Sequence, residues 1–114
     1  MASLSSFGQD LSEYRWKNRL IILVARKTNP EQLKLLKETE KQLRERDILV
    51  LEKTPNNKDL KPLGITNNFE GILLIGKDGG IKLQRPFVVE PQVIFDLVDS
   101  MPMRKSEMRR KRKD

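Results

Sequence analysis

Leu20-Ile21-Ile22-Leu23-Val24-Ala25 runs directly into Arg26-Lys27-Thr28-Asn29-Pro30-Glu31. A continuous apolar run of this length, rich in branched side chains, fits a strand covered on both faces, because a strand with one wet face alternates polar and apolar residues. A helix start follows it. Thr28 or Asn29 supplies a cap, Pro30 loses nothing by lacking an N–H in the first turn, and Glu31 suits the positive end of a helix dipole. Leu33, Leu36 and Leu43 then fall on one stripe, which predicts a single helix over 30–46. Lys34, Lys37, Glu38, Lys41, Arg44 and Glu45 fall elsewhere and read as a solvated, mutually paired face. Asp47-Ile48-Leu49-Val50-Leu51-Glu52 returns to strand, giving a β-α-β unit with two parallel strands and a right-handed crossover.

Outward from this unit the pattern is less regular. Pro55, Asn56, Asn57, Pro62, Gly64, Asn67 and Asn68 mark 54–70 as loop, with room for a short helical turn near 58–63. Gly71-Ile72-Leu73-Leu74-Ile75-Gly76 and Ile81-Lys82-Leu83-Gln84-Arg85 flank Lys77-Asp78-Gly79-Gly80, whose Asp-Gly step is a hairpin signal. Pro86 cannot donate to a ladder and places the second strand at an edge, where it could pair between subunits. Glu90-Pro91 opens a helix carrying Val93, Ile94, Leu97, Val98 and Met101 on one side and ending before Pro102. Upstream, residues 1–13 form a polar lead-in, with Tyr14 and Trp16 expected to anchor it on the domain. The result is one α/β domain of order β-α-β, loop, β-β-α around a mixed sheet, spanning 14–108, with a basic extension at 109–114.

The 114 residues include no cysteine and no histidine. Disulfides, thiolate nucleophiles, zinc-thiolate sites and imidazole relays are thereby excluded. Gly71-x-x-x-x-Gly76-Lys77 resembles a phosphate loop, but Asp78 stands where a Ser or Thr is required and the intervening residues are strand, so it is rejected. The acids Asp10, Glu13, Asp47, Glu52, Glu70 and Asp78 are scattered, and no catalytic residue, metal ligand or cofactor site is expected. Arg26, Lys27, Thr28 and Asn29 are the candidate anion or partner loop, since they lie at a strand's carboxyl end and a helix N-terminus. The plainer alternative is a solvated connection that only caps the helix.

Lys and Arg number 23 against 16 Asp and Glu, a formal net charge of +7. The excess is local: residues 104–114 carry +5 and residues 1–103 only +2. Arg109, Arg110, Lys111, Arg112 and Lys113 could hold nucleic-acid backbone, an anionic surface or an acidic protein, with strong salt dependence. No aromatic is interleaved with them, so base stacking is not implied. A disordered solubilising tail is the alternative. The first fourteen residues lack a basic start and an apolar stretch, and no apolar run approaches the length of a membrane span, which predicts a cytoplasmic protein.

Three stretches carry a resemblance: Tyr14-x-Trp16-Lys17-Asn18-Arg19, Leu74-Ile75-Gly76-Lys77-Asp78-Gly79-Gly80-x-Lys82, and Met101-Pro102-Met103-Arg104-x-x-Glu107-Met108. Together they resemble an uncharacterised thioredoxin-like, or peroxiredoxin-like, domain family found in small bacterial proteins, at the C-terminus of sushi-repeat-containing extracellular proteins and in a coiled-coil-domain matrix protein. The resemblance covers about residues 10–109 and implies a minimal thioredoxin-like sandwich. It also implies that Trp16, Arg19, Gly76, Lys77, Asp78, Gly79, Met101, Pro102, Met103, Arg104 and Glu107 are structural. Where the enzymes of that fold keep Cys-x-x-Cys or Thr-x-x-Cys, this chain reads Thr28-Asn29-Pro30-Glu31, so thiol-dependent redox chemistry is impossible. The expected function is a non-catalytic interaction module for a protein or anionic partner. Nonspecific nucleic-acid or anionic-surface binding through the C-terminus, and an enzyme using non-thiol chemistry or a degenerate peroxiredoxin-like redox protein, are the alternatives.

Overall fold

Strand β1, Arg19–Val24, is buried at all six positions, as its unbroken apolar run requires. The computed structural model describes residues 11–113, of which 111–113 by backbone alone. The lead-in expected at 1–13 is therefore described only from Leu11. On β1, Ile21 and Leu23 face one core cluster, while Leu20, Ile22 and Val24 face another.

Helix α1, Pro30–Glu38, starts on Asn29, whose side chain accepts the Gln32 amide. The single helix predicted over 30–46 is corrected to two, because Thr39 interrupts it with φ −115° and ψ 26° before α2, Glu40–Glu45. The Thr39 hydroxyl donates to the carbonyls of Leu35 and Leu36, both at 3.1 Å, a back-bonding geometry that competes with the helical ladder. Asp47, in a left-handed conformation at φ 55°, turns the chain into β2, Ile48–Lys53, one residue later than expected. The loop beyond holds a 3-10 turn at Lys58–Leu63. Strands β3, Gly71–Ile75, and β4, Ile81–Arg85, form the hairpin.

The sheet order is β2-β1-β3-β4. β2 runs parallel to β1, while β3 and β4 are antiparallel to their neighbours, which makes the mixed sheet. Leu36 and Leu43 of the helical segments and Ile94, Phe95 and Val98 of α3, Pro91–Asp99, pack on one face. Leu60 and Ile65, with Leu11 and Tyr14 beside them, cover the other. The second long helix stops at Asp99 rather than running to Met101, and α4, Pro102–Lys113, follows. The basic run at 109–113 is thus the end of a helix, with Arg109 and Arg110 exposed.

Trp16 does not anchor the lead-in through its ring, correcting the expectation for that pair of aromatics. Tyr14 packs on the second core, but Trp16 is 64% exposed. Its backbone, at φ 69°, aims the side chain outward, and the segment is tied down by the Trp16 amide donating to the Lys77 carbonyl at 2.7 Å.

Candidate functional site

The two ends of the sheet hold different chemistry. The loop 26–31 lies where β1 and β2 end and β3 begins. Arg26 forms an ion pair with Glu70, and its amide reaches the same carboxylate. The Thr28 hydroxyl donates to Glu52 at 3.0 Å, and Asn29, not Thr28, is the helix cap, accepting from the Gln32 amide at 3.0 Å. Lys53 pairs with Asp59 at 3.2 Å. A cleft of about 200 Å³ opens here, lined by Leu23, Ala25, Arg26, Thr28, Asn29, Glu52, Lys53 and Thr54. Of the two cations expected to receive an anion, Arg26 is engaged by Glu70, and Lys27 stands exposed. Glu31 is exposed on the first turn of α1.

Gln32, beside this loop, was not singled out by sequence reasoning. It is fully buried and exchanges two hydrogen bonds with Val89, its Nε2 donating to the carbonyl at 2.9 Å and its Oε1 accepting the amide at 2.7 Å. Its spacing of four from Leu36 placed it on the buried stripe, and that was the available signal. Gln32→Ala strips Val89 of both partners and is expected to lower stability by about 2 kcal/mol. Urea denaturation measures it, and a midpoint within error of wild type would show that water replaces the amide without cost.

The motif residues gather at the opposite end, where β1 and β2 begin. Arg19 of β1, with its side chain 1% exposed, donates to the Arg46 carbonyl at 2.8 Å and to both carboxylate oxygens of Glu107 at 3.3 Å. Lys77 of the hairpin reaches Glu107 at 2.8 Å and Asp47 at 2.9 Å. Arg104 joins from α4, 3.5 Å from Glu107 and 3.3 Å from Asp99, and donates to the Glu45 carbonyl at 3.1 Å. Arg46 grips Asp99 with two nitrogens, at 3.0 and 2.9 Å, and lies 4.5 Å above the centre of the Phe95 ring.

Burial pushes the Glu107 carboxyl up, but hydrogen bonds from Lys77 and Arg19 and their charges outweigh it and hold the group below its ordinary value. Burial opposes the same outcome at Asp99, where Arg46 and Arg104 prevail. Asp78 is lowered chiefly by the Gly80 amide and Lys82, both of which it accepts from within the hairpin. These carboxylates are held ionised, the opposite of what a general acid needs.

Trp16, Gly76 and Gly79 belong to the same end. The Gly76 amide bonds the Gly80 carbonyl at 2.9 Å to close the turn, and a side chain at Gly79 would meet the Arg15 guanidinium at 2.8 Å. Met101 packs against the first core, whereas Pro102 and Met103 are exposed. Lys111, Arg112 and Lys113 have side chains outside the described residues.

A mixed four-stranded sheet with helices on one face and the crossover after β1 is the thioredoxin-like architecture, and solved structures of that class superpose on it. The 2-Cys peroxiredoxin of Plasmodium vivax matches with a TM-score of 0.63 at 12% identity, covering 84% of this chain and 72% of that one. The mitochondrial 2-Cys peroxiredoxin of Plasmodium falciparum gives 0.59 at 14% identity over 81% and 80%. A thioredoxin-like protein from Bacteroides caccae gives 0.51 at 13% over 77% and 42%. At these identities the likeness shows the fold alone. The chain belongs to the family described as Domain of unknown function (DUF4174), which matches residues 10–107. Among curated proteins no sequence matches it. No helix among the described residues is long and apolar enough to cross a membrane.

Proposed function

We propose that this chain is a non-catalytic thioredoxin-like interaction module of the cytoplasm, recognising a protein or other anionic partner at the 26–31 loop. The loop itself carries the reading. Where the resembling enzymes keep a thiol, Thr28-Asn29-Pro30-Glu31 offers none, and the polar groups around it hold one another: Thr28 to Glu52, Arg26 to Glu70, Asn29 to the Gln32 amide. A cleft so arranged presents shape and charge without a thiol. The kinship of the motifs with sushi-repeat and coiled-coil matrix proteins is part of the same proposal, and their extracellular role is not carried over to it.

Two measurements test it. The purified protein given hydrogen peroxide and dithiothreitol is expected to consume no more peroxide than the buffer does, and turnover above that blank overturns the reading. In affinity capture, binding should weaken with salt and fall several-fold in Lys27→Glu, a surface change that leaves the melting temperature within about 2 °C, since exposed substitutions are nearly neutral. Capture indifferent to both would remove the loop as the recognition surface.

A further inference from the structure

Trp16 is the only tryptophan of the chain, 64% exposed, and its backbone sits at φ 69°. That left-handed conformation suits glycine and is unfavourable for a bulky residue. Four hydrogen bonds impose it: Arg15 N to Ser12 O at 3.1 Å, Trp16 N to Lys77 O at 2.7 Å, and Lys17 N and Asn18 N to Tyr14 O at 2.9 Å. The turn therefore holds an indole mostly out in water at a conformational cost with little burial in return, and strain of this kind concentrates at functional positions.

Its surroundings indicate what the ring meets. Arg15 and Lys17, on either side, are exposed cations, and Glu13 is the exposed acid of the segment. Through the Lys77 carbonyl Trp16 is joined to the residue whose ammonium reaches Glu107 of α4, so the ring and the basic helix share one end of the sheet. On α4, Arg110 is exposed and, three residues beyond Glu107, lies on the side of the helix that faces Lys77, while the exposed Lys105 and Arg109 lie on the far side. The nearby acids other than Glu13 are already engaged: Asp47 with Lys77, Asp78 with Lys82, and Glu107 with Arg19, Lys77 and Arg104. Arg15, Lys17 and Arg110 outnumber Glu13, so the outward charge around the ring is cationic.

We propose that this end binds single-stranded nucleic acid, with Trp16 stacking on an unpaired base while Arg15, Lys17 and Arg110 neutralise flanking phosphates. A cationic track with an exposed ring is the arrangement that holds single strands without reading sequence. A duplex keeps its base faces inside the stack, and a lipid surface calls for an apolar rim where this indole has charged flanks. The basic run lacked an aromatic along the sequence, and folding supplies one from the other end of the chain. The surface lies opposite the 26–31 loop, so this inference goes beyond the proposed function and each can fail without the other.

The single tryptophan makes the test direct. Titrating the full chain with a short oligothymidylate at low salt should quench its fluorescence to saturation, and added salt should reverse the quenching with a slope of about −0.7 per phosphate neutralised. Anisotropy of a labelled oligothymidylate should show Trp16→Ala binding about tenfold more weakly and Trp16→Phe retaining most of the affinity. Trp16→Gly should lose binding while melting no lower than wild type, which separates stacking from unfolding. Absence of binding, binding without quenching, equal affinity in Trp16→Ala, or a response to phosphatidylserine vesicles but not to the oligonucleotide would each overturn the proposal.

Discussion

Glu107→Ala is expected to lower the folding free energy by about 3 kcal/mol, the lower part of the range for breaking a buried ion pair. The loss arises mainly at Arg19. Its guanidinium is almost wholly buried, and without the carboxylate it keeps only the Arg46 carbonyl. Lys77 retains Asp47 and Arg104 retains Asp99, so those cations suffer less. Glu107→Gln fills the same volume without the charge and should fall between the alanine variant and wild type. Urea denaturation decides the matter, and a loss below about 1 kcal/mol would mean that water enters and solvates Arg19.

The same carboxylate sets an acid dependence. Its folded pKa is depressed below the ordinary 4.5, so its stabilisation is fully present above that value and disappears as pH falls from there through the lower folded value. Asp99, depressed from 3.8, adds a loss of the same sign at slightly lower pH. Glu107→Gln should therefore show a flatter decline of the urea midpoint below pH 4.5 than wild type. An identical decline in both proteins would place the acid sensitivity elsewhere.

Gly71→Ala is the second large effect. A β-carbon there would lie 2.2 Å from the Arg85 carbonyl oxygen, 2.8 Å from Pro86 Cα and 2.9 Å from Phe69 Cζ. The first two are backbone atoms, one of the last residue of β4 and one of the residue after it, and Ile72 sits opposite Arg85, so relief requires opening that end of the hairpin. The expected cost is about 3 kcal/mol, at the upper end for overpacking, and a melting temperature lower by on the order of 10–20 °C. Gly64→Ala is the control. Gly64 has φ 78° but nothing within 4 Å, so only the backbone penalty of about 1 kcal/mol applies. Equal losses at the two positions would show that conformation rather than close approach governs Gly71.

Much of the architecture was legible because it is encoded over short spans. The unbroken apolar runs that became β1 and β3, the Asp-Gly turn and the short helical turn at 58–63 each rest on the types of neighbouring residues and need no distant partner to be read. The helix predicted through Thr39 failed for a local reason that periodicity does not record, a hydroxyl bonding to the carbonyls of Leu35 and Leu36. Trp16 was misplaced because an aromatic before a strand ordinarily packs inward, and here a positive φ reverses its direction. Gln32 shares the buried stripe with Leu36, but its partner Val89, 57 positions along the chain, is beyond any local pattern.

The letters alone established that no thiol or imidazole chemistry exists, that the chain forms an α/β domain, and that its positive charge concentrates at the C-terminus, since composition and short-range pattern suffice for each. Folding settled what the charged and polar residues do. Arg19 and Glu107 lie 88 positions apart yet share two hydrogen bonds, and Arg26, which reads as a free cation, is engaged by Glu70 from 44 positions away. A charge is recognition surface or internal strut according to the partner that the sheet brings within about 4 Å of it, where Coulomb attraction outweighs the loss of water only for buried, well-matched groups. That partnership depends on strand order and helix docking, which no local pattern contains.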